Sequence, residues 1–388
     1  MMNIQEQVAR CLAQAVENHE CAGISVLVRR DGQDALYASA GYADRESGSP
    51  VRRDSIFRLY SQSKPVTAAA AMLLVERGVI DLMDPVEKYL PGFRGQKVWT
   101  VQGLVPAVRP VQILDLLGMT AGLCYPDADA PGQAVARVFE ENQKAIAQGG
   151  GMTTAELCNR LGQCPLAFQP GAHFRYSTCA DIVGGVIEAA DGRSFAQFLQ
   201  EELFVPLGMK DTAFYARDAS RLVTCYRRVP GGLEPFRELH LCVGDYSHEP
   251  AFASGGAGLV STLDDYAAFA EMLMNGGSYH GRQILTPASV RYLTQPQLGP
   301  GPQADFWDSL SGFSYGKLMR LCVEPGRYAG FASLGEYGWD GWLGSYFANL
   351  PAEGLTILSM QNTTDTGTCA AVRTVRNLLL AADSLGRL

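Results

Sequence analysis

Apolar positions along this chain recur with two periods, and the two periods occupy different stretches. Ile4, Val8, Leu12 and Ala15/Val16 repeat every three to four residues, so the first stretch reads as an amphipathic helix. Residues 23–30 and 33–41 are dense in Val, Ile, Leu and Tyr, the composition of strands, and Asp31-Gly32 between them is a hairpin signal. From about residue 60 the helical pattern returns. Thr153-x-x-Glu156, Thr178-x-x-Asp181 and Thr262-x-x-Asp265 have the form of capping boxes. Asn275-Gly276-Gly277 closes the last of these helices, and Thr286-Pro287 is a cap followed by proline at the first helical position. Strand signals resume over 312–323, 345–350 and 355–360, with 351–354 turning the last two into a hairpin. A final amphipathic helix over 369–382 aligns Val372, Val375, Leu379 and Ala382.

The simplest arrangement pairs early and late strands in one antiparallel sheet covered by both terminal helices. The expected class is therefore α+β. Residues 1–64 and 311–388 form the sheet domain, 65–310 a mostly helical insertion, and a site is expected between them, where ligands favour binding.

Composition narrows the partners. The 388 residues, 47% hydrophobic and 19% charged, are those of an ordinary globular protein. A net charge of −8 offers nothing to a phosphate backbone, so nucleic acid is not an expected partner. The longest apolar stretch, 67–75, falls short of the ~20 residues a membrane-spanning helix needs. The polar N-terminal helix lacks the apolar centre of an export signal, so a cytoplasmic location is expected. Ten cysteines without a CxxC pair read as reduced, mostly buried thiols, and five histidines without HxxxH spacing point to no metal. No pattern calls for a cofactor or fixes an oligomeric state.

Three motifs could carry chemistry. Tyr60-Ser61-Gln62-Ser63-Lys64-Pro65 leads into a helical stretch, and Ser-x-x-Lys on a first helical turn sets hydroxyl and amine on one face. A lysine desolvated there loses its proton near neutral pH and accepts one from the serine. The helix N-terminus adds unpaired N–H groups suited to an oxyanion. A second copy, Ser314-Tyr315-Gly316-Lys317, falls in an expected strand, where residues three apart face opposite ways, and is read as accidental. Tyr176-Ser177-Thr178 precedes a capped helix and describes equally a proton-shuttling phenol and a packed tyrosine with a cap. Gly338-Trp339-Asp340-Gly341-Trp342 is either a tight turn or a backbone that lets substrate approach closely. His173 is expected to pack, Cys179 to be a small helix residue, and Gly255-Gly256-Ala257-Gly258 to form a turn. No GxSxG is present, which argues against the α/β-hydrolase fold.

In order and spacing these motifs resemble those of the serine β-lactamase-like superfamily, with class C β-lactamases, family VIII carboxylesterases and D-alanyl-D-alanine carboxypeptidase-like proteins as relatives by pattern. The likeness spans nearly the whole chain. It includes Phe57-Arg58-Leu59 before the serine, Asp84-Pro85-Val86, Ile113-Leu114-Asp115-Leu116-Leu117, Gln169-Pro170-Gly171, Pro206-Leu207-Gly208-Met209 and Gly255-Gly256-Ala257-Gly258-Leu259. The resemblance implies Ser61 as the acylated nucleophile, Lys64 as its proton partner and Tyr176 as second base and acid for the leaving group. It leaves open which of the two takes the first proton. It implies an oxyanion hole from the N–H groups of Ser61 and Trp342, and substrate contacts from Thr178, Trp339, Asp340 and Gly341. Two departures stand out. Thr178 occupies a position where the family usually has Asn, and Trp339-Asp340-Gly341 replaces Lys-Thr-Gly, removing a cation and disfavouring β-lactam turnover.

The resulting expectation is a metal-free serine hydrolase acting through an acyl-enzyme, foremost a carboxylesterase on small-molecule esters. The alternatives are an acyltransferase, a D-amino-acid amidase or peptidase on amides, a weak β-lactamase, and a non-catalytic scaffold. The last fits poorly with an intact Ser61, Lys64 and Tyr176.

Overall fold

A computed structural model describes residues 3–388. Its first helix, α1 (Ile4–Glu17), is started by a capping box, with Asn3 accepting from the Glu6 N–H and Glu6 answering to the Asn3 N–H. Val8, Leu12 and Ala15 are its buried face, as the periodicity requires. Next comes the hairpin of β1 (Gly23–Arg30) and β2 (Gln33–Asp44). Its turn residues Asp31 and Gly32 both hold positive φ, the conformation that matches the twist of paired strands.

A short β3 (Ser49–Pro50) completes this edge. The other strands come from the end of the chain: β4 (Phe313–Tyr315), β5 (Arg320–Cys322), β6 (Tyr337–Asp340), β7 (Tyr346–Leu350) and β8 (Leu355–Gln361). They form one antiparallel sheet in the order β4-β5-β6-β7-β8-β1-β2-β3. The first strand therefore pairs with the last, Ile24 opposite Gln361 and Arg30 opposite Leu355.

The central strands β1, β7 and β8 are buried on both faces, and the two-residue period decides which side each residue serves. Val26, Val28, Tyr346, Ala348 and Ile357 join a cluster with α1 and the last helix, α8 (Ala370–Asp383). Ile4 and Leu388 pack against that cluster too. Leu27, Phe347, Leu358 and Met360 point the other way, into the larger core. At its centre lies α2 (Lys64–Glu76), almost wholly buried. Around it are α3 (Ala130–Ala147), α4 (Thr154–Gly162), α5 (Cys179–Asp191), α6 (Leu263–Met274) and α7 (Pro287–Leu293). No helix among the described residues is long and apolar enough to cross a membrane.

The α+β class and the early-with-late strand pairing are as expected. Several local expectations change. The stretch 312–323 is two three-residue strands joined by a turn over 316–319, with Leu318 at positive φ, and not one strand. Ser314 and Lys317 bond to Gln303 and to the Gln295 carbonyl respectively, so the second Ser-x-x-Lys is not a pair. Of Gly338-Trp339-Asp340-Gly341-Trp342, which reads as a tight turn or as backbone open to substrate, the first three belong to the strand Tyr337–Asp340. The helical middle also carries small hairpins, such as Lys97–Thr100 with Gly103–Pro106.

Candidate active site

Ser61 lies in a 3-10 turn, Tyr60–Ser63, that runs directly into α2, with Pro65 fixing the backbone of the first α-helical turn. The sequence reading put Ser61 and Lys64 on one α-helical turn; the tighter turn brings them onto the same face as well. Lys64 Nζ donates to Ser61 Oγ at 3.0 Å, to the Tyr125 hydroxyl at 3.1 Å and to the Gly256 carbonyl at 2.9 Å. Lys64 is fully buried, and that desolvation lowers its amine from the usual lysine range to about 7; Asp181, Cys179 and Asp340 push back.

Tyr60, just before the serine, has φ +46°, a conformation non-glycine residues seldom hold. It is kept there by its neighbours: its ring packs against Trp342 at 5.0 Å and His240 at 5.9 Å. The first hydrogen bond of the turn runs from the Gln62 N–H to the Leu59 carbonyl, so the Ser61 N–H stands outside the ladder.

Tyr176 arrives from the segment before α5. Its hydroxyl shares a hydrogen bond with Ser61 and accepts one from Trp339 Nε1 at 3.0 Å. Burial raises this phenol well above the usual tyrosine range, and those two hydrogen bonds offset only part of the rise. Lys64 Nζ lies 4.5 Å from the centre of the Tyr176 ring. Tyr125, Trp307 and Trp339 wall the ring in, with centroids 5.4–5.8 Å away.

The end of β6 presses on the serine turn through a residue that must be glycine. A Cβ on Gly341 would lie 2.2 Å from the Leu59 carbonyl oxygen and 2.3 Å from Ser345 Oγ. Trp342 follows at the turn, its indole donating to Asp365 at 2.7 Å and its ring stacked on His240 at 4.0 Å.

Two cavities of about 420 Å³ each meet at this point, and both are lined by Ser61, Tyr176 and Trp342. One is mainly apolar, walled by Tyr125, Ala136, Phe139, Leu239 and Leu241. The other is walled by Trp307, Tyr328, Trp339, Asp340 and Arg373. Ser61, Lys64, Tyr176, Trp339, Asp340, Gly341 and Trp342 thus come together.

Thr178 does not join them. It is 1% exposed, lines neither cavity, and gives its hydroxyl to the Cys124 carbonyl at 3.3 Å, so it braces the segment that carries Tyr125. It does sit at the N-cap of α5 but makes no side-chain capping bond there. His173 is more than half exposed, sitting edge-on to Phe168 with Nδ1 3.0 Å from Asp305, and is not packed as expected. Tyr125, His240, Trp307 and Arg373 were not anticipated. Arg373 supplies a cation from α8 to the lobe where the third motif has none, a placement no local pattern reveals.

A family model described as Beta-lactamase matches residues 8–382. The chain is 30% identical to Esterase EstB of Burkholderia gladioli over 367 residues, covering 90% of this chain and 88% of that protein. It is 28% identical to Acyltransferase calJ of Penicillium decumbens over 324 residues, covering 78% and 74%. Among solved structures it is similar to EstCE1, described as a hydrolase with promiscuous acyltransferase activity, with a TM-score of 0.83, 27% identity and coverage of 97% and 98%.

Proposed function

The chain belongs to the beta-lactamase family, and from that premise we propose that it is a serine hydrolase forming an acyl-enzyme on Ser61, chiefly as a carboxylesterase on small-molecule esters. The observation that carries this reading is the 3.0 Å contact between Ser61 Oγ and a fully buried Lys64 whose amine is brought to about 7. At neutral pH a large share of such amines are unprotonated and ready to accept a proton.

Ser61 Oγ attacks the ester carbonyl carbon as Lys64 takes the hydroxyl proton. The phenol of Tyr176, raised by burial, holds its own proton at this pH, which suits it to protonate the departing alkoxide. The carbonyl oxygen, now negative, is received by the N–H groups of Ser61 and Trp342; losing one such donor typically costs about 10²–10³ in rate. Water then attacks the acyl carbonyl, giving a proton to the Tyr176 phenolate, and Ser61 leaves as it takes its proton back from the Lys64 ammonium.

Transfer to an alcohol is the second reading, favoured by the pair of cavities flanking Ser61, which give room for an acceptor beside the acyl group. Relatives named as an esterase and an acyltransferase fit both outcomes. We place the work in the cytoplasm, in keeping with ten unpaired thiols. A fluorophosphonate should add its mass to Ser61, and Ser61→Ala should remove both the adduct and aryl-ester hydrolysis. Without an adduct on the native chain, the reading fails. Short aryl esters should turn over faster than nitrocefin, and added alcohols should divert the product from acid to new ester.

A further inference from the structure

A buried carboxylate stands one residue away from the Lys64 amine, and the acyl-enzyme steps make no use of it. Asp181, on the first turn of α5, is 3% exposed. Its Oδ1 accepts from the Ser254 hydroxyl at 2.5 Å and from the Gly256 N–H at 2.9 Å. The carbonyl of that same Gly256 accepts from Lys64 Nζ at 2.9 Å. A single glycine therefore faces the carboxylate with its N–H and the amine with its C=O. A Cβ on Gly256 would sit 3.1 Å from both Asp181 oxygens, and one on Gly255 2.4 Å from the Ala180 carbonyl oxygen, so the glycine pair lets this turn press onto α5.

Among the ion pairs of the described residues none includes Asp181. Burial raises this carboxyl above the usual range, and the Ser254 hydroxyl, the charge of Lys64 and the Gly256 N–H act against that rise. The groups facing Lys64 are Ser61 from its own turn, Tyr125 from the segment before α3, Tyr176 from the segment before α5, Cys179 and Asp181 from α5, and Asp340 from β6. The hydroxyl, phenols and thiol are neutral at working pH. Of the two carboxylates, Asp181 acts on the amine more strongly, and Asp340 is bonded to the Thr368 hydroxyl.

We propose that Asp181 is a positioning residue for Lys64: held as an anion by Ser254 and the Gly256 N–H, it fixes the amine through the Gly256 carbonyl. The inference rests on the acyl-enzyme reading above. Its physical logic lies in the distance. A directly paired carboxylate would hold the lysine protonated, whereas complete isolation would leave an amine too weak to drive the serine.

The test is Asp181→Asn in the full chain, which keeps an acceptor for Ser254 and Gly256 and removes the charge. The acid limb of kcat/KM for an aryl ester should move to lower pH by about one unit, and the plateau should fall about tenfold as the base weakens. Ser254→Ala, which keeps the charge, should leave the limb in place. An unmoved limb in Asp181→Asn, or an equal movement in Ser254→Ala, overturns the proposal. Thermal unfolding of Lys64→Met, Asp181→Asn and the double variant tests the pair without any turnover. Removing the acid should raise the midpoint when Lys64 is already gone and lower it when Lys64 is present. A soluble double variant beside an insoluble Asp181→Asn is the same result in its strongest form, and equal shifts in both backgrounds overturn the proposal. Should Ser61 fail to label in the native chain, the acyl-enzyme reading falls while this cycle still decides whether the two charges are coupled.

Discussion

In the proposed acyl-enzyme reading Lys64 must be unprotonated to relieve Ser61 of its proton, and its amine sits at about 7. The sign follows directly: kcat/KM should fall tenfold per pH unit well below 7 and flatten above it. The phenol of Tyr176 is raised by burial, so no alkaline limb should appear through pH ~9, well below where it would ionise. A pH profile with an aryl ester checks both arms; a level rate down to pH ~5 would mean that the first proton goes elsewhere. At this scale the sequence reveals Ser61 and Lys64 because one turn of chain relates them. Tyr176 is legible only through its resemblance to a family pattern. Tyr125 and His240 reach the site by tertiary approach alone, and no spacing announces them; the spacing of Asp181 from Thr178 reads as a capping box and hides its place beside Lys64. Thr178 shows the opposite case, since its neighbours point to a cap and the family resemblance to a substrate contact, while its hydroxyl is spent on the Cys124 carbonyl.

Among the elements, β6 has the tightest fit to the site. Gly338 lies where a Cβ would come 2.0 Å from the Phe347 carbonyl oxygen, and Gly341 where one would strike Leu59. Gly341→Ala should therefore push the Trp342 turn away from Ser61 and lower kcat/KM about 10²-fold or more, the effect of losing an oxyanion donor. Ser61 labelling should slow in parallel, with melting far less affected than activity. Equal labelling rates in variant and native chains would separate this glycine from the chemistry. The strand itself escaped the sequence reading because four residues, two of them Trp339 and Gly338, give no two-residue alternation to detect. In β4 and β5, three residues each, the turn over 316–319 is longer than either strand, which is why the sequence reads as one continuous run. The long β1, β2 and β8 and the helices with strong apolar faces were legible for the converse reason.

Across the whole molecule, the sheet is tied to α8 by one deeply buried pair. Arg376 and Glu336 are 2% and 0% exposed and 2.6 Å apart, and Arg376 also donates to the Tyr346 hydroxyl and the Phe331 carbonyl. Glu336→Gln leaves the guanidinium without its counter-charge and should destabilise the fold by roughly 3–5 kcal/mol, read from denaturant unfolding. A loss under ~1 kcal/mol would show that water reaches the pair. The α8 helix lies far from the serine turn in sequence, yet it lends Arg373 to the cleft, so damage at this pair should also slow the ester reaction. The pairing of β1 with β8 has a further consequence for how the protein is made. At synthesis rates of ~5–20 residues/s, β1 has β2 beside it at once but emerges roughly 15–65 s before β8, its neighbour on the other edge. During that interval the unpaired N–H and C=O groups along that edge of β1 are open to any other nascent strand.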